Sequence, residues 1–134
     1  MALHIHPSPG TIVICDFTRA FVPPEMVKRR PAIVVSPRFR ERESLCTVVP
    51  MSTTAPDPQM PYHYKLELND PLPAPYNSTV QWVKADMVVT VSLHRLMMPY
   101  LGKDDEGKRI YDTRILSAKD FAAIQNCTRA ALGL

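Results

Sequence analysis

Apolar residues fall in short runs of five to seven through most of this chain and switch to a helical spacing only near its end. Gly10 opens Thr-Ile-Val-Ile-Cys-Asp-Phe (11–17), a β-branched run that predicts a strand. Residues 18–30, with Pro23, Pro24 and several charges, read as a long loop. Pro31 to Ser36 is a nearly continuous apolar strand in which Pro31 fits only the first position, because it has no N–H for a ladder. Pro37 stops it. Residues 44–50 form another strand, and 53–61 a polar, proline-rich loop. Tyr62, Tyr64, Leu66 and Leu68 alternate with His63, Lys65 and Glu67, so one face of that strand is apolar and the other solvated. Residues 69–77 hold three prolines and predict a turn-rich connection, followed by short strands over 79–83 and 87–91.

Residues 1–9, with two prolines, read as a loose N-terminal arm, and 102–108 as a charged turn. Ser117 to Leu132 has helical spacing at Phe121, Ile124, Cys127 and Ala131. Ser117 is the expected N-cap, Asp120 its capping-box partner, and Gly133 the stop. Five or six short strands and one late helix describe a mainly β, small barrel with a C-terminal helix packed on it. A single domain spans 1–134, with the barrel over 10–97 and the helix over 117–132, and no internal repeat interrupts it.

Composition narrows the function classes. The chain has 134 residues, 46% apolar and 22% charged, enough for one core without staples. No apolar run approaches the roughly 20 residues of a membrane span, and Met-Ala-Leu-His-Ile-His-Pro lacks the basic flank of a signal peptide, so a cytoplasmic protein without membrane contact is expected. Cys15, Cys46 and Cys127 are far apart and set in apolar surroundings. They predict small core hydrophobes, not a disulfide frame or a zinc site. His4 and His6 have no further ligand nearby in sequence, which leaves no metal expected there. His63 and His94 would form an acid–base pair only by converging. Trp82 reads as core or dimer-interface packing, with base stacking as the alternative.

Charge changes the picture more. The net charge is +3, yet Lys28, Arg29, Arg30, Arg38, Arg40 and Arg42 against Glu41 give six minus one, or +5, within fifteen residues. Guanidinium forks suit phosphate oxygens, so this cluster favours nucleic acid over a merely solvated loop. Arg38, Arg40 and Arg42 would share one face of an extended segment and track phosphates.

Three segments stand in order: Gly10-Thr-Ile-Val-Ile-Cys-Asp-Phe17, Arg30-Pro31-Ala-Ile-Val-Val-Ser36-Pro37, and Val48-Val49-Pro50-Met51-Ser52-Thr53. With Val83-Lys84-Ala85-Asp86-Met87 and His94-Arg95-Leu96 downstream, the chain resembles the MazF/PemK family of toxin–antitoxin ribonucleases over about residues 10–97. The resemblance implies an SH3-like barrel that forms a homodimer and binds single-stranded RNA in a groove at its interface, with an antitoxin protein as second partner and no metal or other cofactor. It implies Arg30 as the catalytic arginine before proline and Ser52 as the partner hydroxyl, where most members have threonine. Glu25 matches an acid that some members carry five residues before the arginine. Lys28, Arg29, Arg38, Arg40 and Thr53 are the candidate RNA-binding residues.

The chemistry asks the same of these residues. A ribose 2′-OH attacks the adjacent phosphorus, and the enzyme must remove its proton, stabilise charge on the phosphoryl oxygens and protonate the leaving 5′-oxygen. Arg30 and Ser52 suit the second task, whereas an arginine with a pKa above about 12 is a poor base. Glu25 or water is the candidate base. The expected products are a 2′,3′-cyclic phosphate and a 5′-hydroxyl. Two other readings compete: a gyrase-binding toxin like the CcdB family, which ends Trp-Gly-x where this chain ends Ala-Leu-Gly-Leu, and an inactive MazF-like binding module that keeps the barrel and has lost cleavage.

Overall fold

The computed structural model describes residues 2–134, so Met1, the first residue of the expected arm, lies outside it. Nine strands precede one helix: β1 (Ile12–Asp16), β2 (Arg29–Val34), β3 (Leu45–Ser52), β4 (His63–Glu67), β5 (Val80–Lys84), β6 (Val89–Ser92), β7 (Leu96–Met97), β8 (Tyr100–Lys103), β9 (Arg109–Tyr111) and α1 (Ala118–Leu132). All pairings are antiparallel. The main sheet runs β4-β5-β3-β2-β1-β7, and β6 also pairs with β3. A 3-10 turn at Leu93–Arg95 joins β6 directly to β7. The ends of the order β6-β3-β2-β1-β7 are thereby brought together, and the sheet curls into the expected small barrel.

Two proline positions explain how β3 serves two parts of the sheet. Val34 donates to the Thr11 carbonyl, so the even-numbered residues of β2 bond to β1 and Pro31 turns its nitrogen toward β3. Pairing between β2 and β3 ends there, at Ala32–Pro50. Pro31 is the third residue of β2, not the first, and is tolerated because no acceptor is waiting on that side. Beyond Pro50, Met51 and Ser52 pair with Val83 and Trp82 of β5. The strand thus runs past the expected end at residue 50 and carries Ser52 onto ordered backbone.

The central strands are buried on both faces. Ile12, Ile33, Val49 and Met51 pack with Leu66, Val83, Ile124 and Cys127 beneath the helix. Val13, Cys15, Ala32, Val34 and Val48 pack on the other side with Phe17, Val91 and Leu96. Two covered faces are why β1 and β2 are continuously apolar, while β4, solvated on one side, alternates. All three cysteines are buried free thiols. Burial pushes the Cys15 thiol up to about 12 and Cys46 to about 11. Helix α1 starts and stops as expected: the Ser117 hydroxyl accepts from the Asp120 N–H, and Gly133 closes it at φ 71°.

Four expectations are corrected. The arm is not loose: Leu3 N–H donates to the Leu96 carbonyl, and His6, buried, bonds through Nε2 to Ser36 Oγ at 3.0 Å. The expected charged turn at 102–108 is flanked by β8 and β9, paired as a hairpin outside the expected barrel limits. Arg40–Arg42 is a 3-10 turn, so Arg38, Arg40 and Arg42 share no extended face. Trp82, on the opposite side of β5 from Val83, is half-buried and outside both core clusters, which removes the core half of its expectation and leaves interface packing or base stacking.

Candidate active site

Arg30 stands on β2 opposite Cys15, and Ser52 is the last residue of β3. Where β3 leaves β2 at the two prolines, a cavity of about 190 Å³ opens, lined by Arg30, Pro31, Met51, Ser52, Thr53, Pro75, Tyr76 and Gln81. The two residues that the resemblance implied as catalytic, 22 positions apart, thus face the same space, with Thr53 at its rim.

The polar groups of this cavity are poorly satisfied by the protein. Arg30 Nε is buried and has no hydrogen-bond partner among the described residues, and the same holds for Gln81 Oε1. Ser52, 4% exposed, has only a long 3.5 Å contact to the Thr54 carbonyl. Leaving such groups unpaired costs roughly 1–3 kcal/mol each, more for a charged one, so a ligand offering acceptors to Arg30 gains what the protein withholds.

A second hollow of similar size continues the first across Pro75 and Tyr76, lined also by Arg29, Met97 and Tyr100. Arg29 is fixed on one side by its Nε, 3.3 Å from Asp16 Oδ2. Asp16 is held below its ordinary pKa, first by the hydrogen bonds of Thr18 and then by Arg29. Burial raises the Tyr76 phenol above its usual range against the opposing charges of Arg29 and Arg30, so it remains a neutral donor at pH 7.

The other candidates lie elsewhere. Glu25 accepts from the Val22 N–H and lines a different, apolar hollow with Phe17, Phe21 and Met87. Neither a carboxylate nor an imidazole lines the Arg30–Ser52 cavity. Lys28 is exposed just before β2. Arg38 and Arg40 lie past the far end of that strand, with Arg38 paired to Glu43 at 3.1 Å. Four steps along the strand, from Arg30 to Val34, already separate them from Arg30 by about 13 Å. The +5 segment is therefore divided between two ends of β2.

Two cavity residues escaped the sequence reading. Tyr76 arrives from the proline-rich connection, whose path no local pattern fixes. Gln81 shares the buried face of β5 with Val83, at 1% exposure, whereas the sequence, with Val80 and Trp82 at the alternate positions, points to the other face as the apolar one.

Comparison with known proteins identifies the family and the fold. The sequence profile of PemK-like, MazF-like toxins of type II toxin–antitoxin systems matches residues 8–132. The uncharacterized protein YifN of Escherichia coli (strain K12) is 27% identical over 114 residues, covering 72% of this chain and 75% of that one. Among solved structures, an endoribonuclease in complex with its cognate antitoxin from Mycobacterial species superposes with a TM-score of 0.62 at 21% identity, covering 96% of each chain. MazF from Deinococcus radiodurans does so with a TM-score of 0.62 at 21% identity, covering 98% of this chain and all of that one. These structures share the fold.

Proposed function

The chain belongs to the family of PemK-like, MazF-like toxins of type II toxin–antitoxin systems, and on that premise we propose that it is a sequence-specific, metal-independent endoribonuclease that cuts single-stranded RNA, messenger RNA included, in the cytoplasm. The observation that carries this reading is the unpartnered, buried Arg30 Nε in one cavity with the Ser52 hydroxyl.

A scissile phosphate in that cavity accepts from Arg30 and Ser52, which stabilise the charge that builds on its non-bridging oxygens as the 2′-oxygen attacks phosphorus. The bond from phosphorus to the 5′-oxygen breaks. Water takes the proton of the 2′-OH, since no carboxylate or imidazole lines the cavity, and water or the neutral Tyr76 phenol returns one to the leaving oxygen. The products are a 2′,3′-cyclic phosphate and a 5′-hydroxyl, and DNA resists because it lacks the attacking group. Arg29, Lys28 and Thr53 hold the flanking backbone. Arg38 and Arg40 are reached only by RNA extending past the far end of β2. A homodimer would extend the groove, and an acidic antitoxin segment would neutralise the toxin by covering it.

The test is incubation of purified protein with long single-stranded RNA and a chelator, followed by mapping of 5′ ends. Discrete cuts by the wild type and their loss in Arg30→Ala are expected. No cleavage by the wild type, or equal cleavage by the variant, would overturn the reading.

A further inference from the structure

The buried face of β5 carries an amide that the core does not use. Gln81 is 1% exposed, its Nε2 donates to the Tyr76 carbonyl at 3.3 Å, and its Oε1 has no partner. The bond to Tyr76 fixes the orientation of the amide, because only the nitrogen end can donate to a carbonyl. The free end is therefore an acceptor, on a residue that lines the same cavity as Arg30, whose Nε is the other buried atom without a partner among the described residues. A ligand that completes both must accept at one point and donate at another within about 190 Å³. The space continues past Pro75 and Tyr76 into the hollow beside Arg29, so it suits one sugar–phosphate step of a longer chain.

We propose that Gln81 is a catalytic residue of this site: its amide oxygen accepts the hydrogen bond of the ribose 2′-OH next to the phosphate held by Arg30. The inference rests on the ribonuclease reading. In a ribonucleotide the donor nearest the 3′-phosphate is the 2′-OH, whereas the donors of a base edge lie farther off. An amide is not basic enough to take the proton. Its effect is orientation: with the hydroxyl hydrogen held at Oε1 in the bound state, a lone pair of the 2′-oxygen faces phosphorus, and as the new bond forms the acidified proton passes from that hydrogen bond to water. The same contact favours RNA over DNA at the step of binding.

The experiment uses the full chain and short RNAs containing the mapped cut, with a 2′-amino or a 2′-fluoro group at the attacking position. The amino group keeps a donor and the fluorine does not. The wild type is expected to bind the 2′-amino RNA about tenfold more tightly. Gln81→Met, close in shape but without the acceptor, should bind both alike and cleave the all-ribose RNA at least tenfold more slowly, whereas Gln81→Glu should keep the preference. Equal binding of the two RNAs by the wild type overturns the proposal without any variant. A Gln81→Met protein that keeps the preference overturns it too, and if its cut sequence changes as well, the amide reads a base edge instead. A wild type that cuts no RNA overturns the parent reading. A cutting wild type with an indifferent Gln81→Met overturns this inference alone.

Discussion

Arg30 and Arg114 are both partly buried arginines, and they are used in opposite ways. Arg114 is surrounded by acceptors: Nε and Nη2 bond to the Asp112 carboxylate, with Nη2 at 2.7 Å, and Nη1 and Nη2 reach the carbonyls of Asp70 and Pro71. Arg30 has a buried Nε with nothing to bond. The first ties the 70–76 connection to the segment after β9. The second faces the cavity that the end of the same connection, Pro75 and Tyr76, helps to wall. A saturated guanidinium acts as a structural clamp, whereas an unsaturated one keeps its donors available to a ligand.

Four measurements can break or sharpen this contrast. The largest effect is expected from Arg30→Met, which should slow RNA cleavage by roughly 100- to 1,000-fold while thermal unfolding stays level or moves upward. A marked fall in Tm would make Arg30 a second clamp. Arg114→Met should do the reverse. Removing one partner of a buried pair costs about 3 kcal/mol, or roughly 10 °C in Tm for a chain of this size, and cleavage should suffer only through the loosened wall. Ser52→Ala should slow cleavage by roughly tenfold, in line with one lost neutral hydrogen bond, and Ser52→Thr should retain it. Equal rates for all three would remove the hydroxyl from the site. The smallest effect is on pH dependence. Burial alone would raise the Asp112 carboxyl, but the hydrogen bonds and charge of Arg114 outweigh it and hold the pKa below its ordinary value. A depressed carboxylate contributes stability that is fully present above about pH 4 and is lost as pH falls through the folded pKa. The Tm gap between the wild type and Arg114→Met should therefore be constant near neutrality and narrow in acid. A gap that widens in acid would contradict the assignment.

The two arginines were not equally legible. Arg30 and Ser52 were singled out by the family resemblance of the segments that hold them, and the β2–β3 pairing ends beside both, at Ala32–Pro50. Arg114 has one local partner, Asp112, but nothing local points to its others, Asp70 and Pro71, more than forty residues away. The basic cluster was misleading for the opposite reason. Lys28 to Arg42 are close in sequence, but an extended strand separates its own ends, and the arginines after it turn into a 3-10 helix and bond to Glu43. Glu25 was placed by counting along a loop, and the loop directs it into another hollow.

The sequence by itself determined the run of strands and the capped helix, since periodicity and capping act over a few residues, and its resemblance to a family singled out Arg30 and Ser52 as candidates. Only the tertiary structure decided that Tyr76 and Gln81 join them, that Glu25, Arg38 and Arg40 do not, and that Leu3 and His6 are tied down. Each of these depends on which distant segments meet, and that is set by burial of the two faces of one curled sheet.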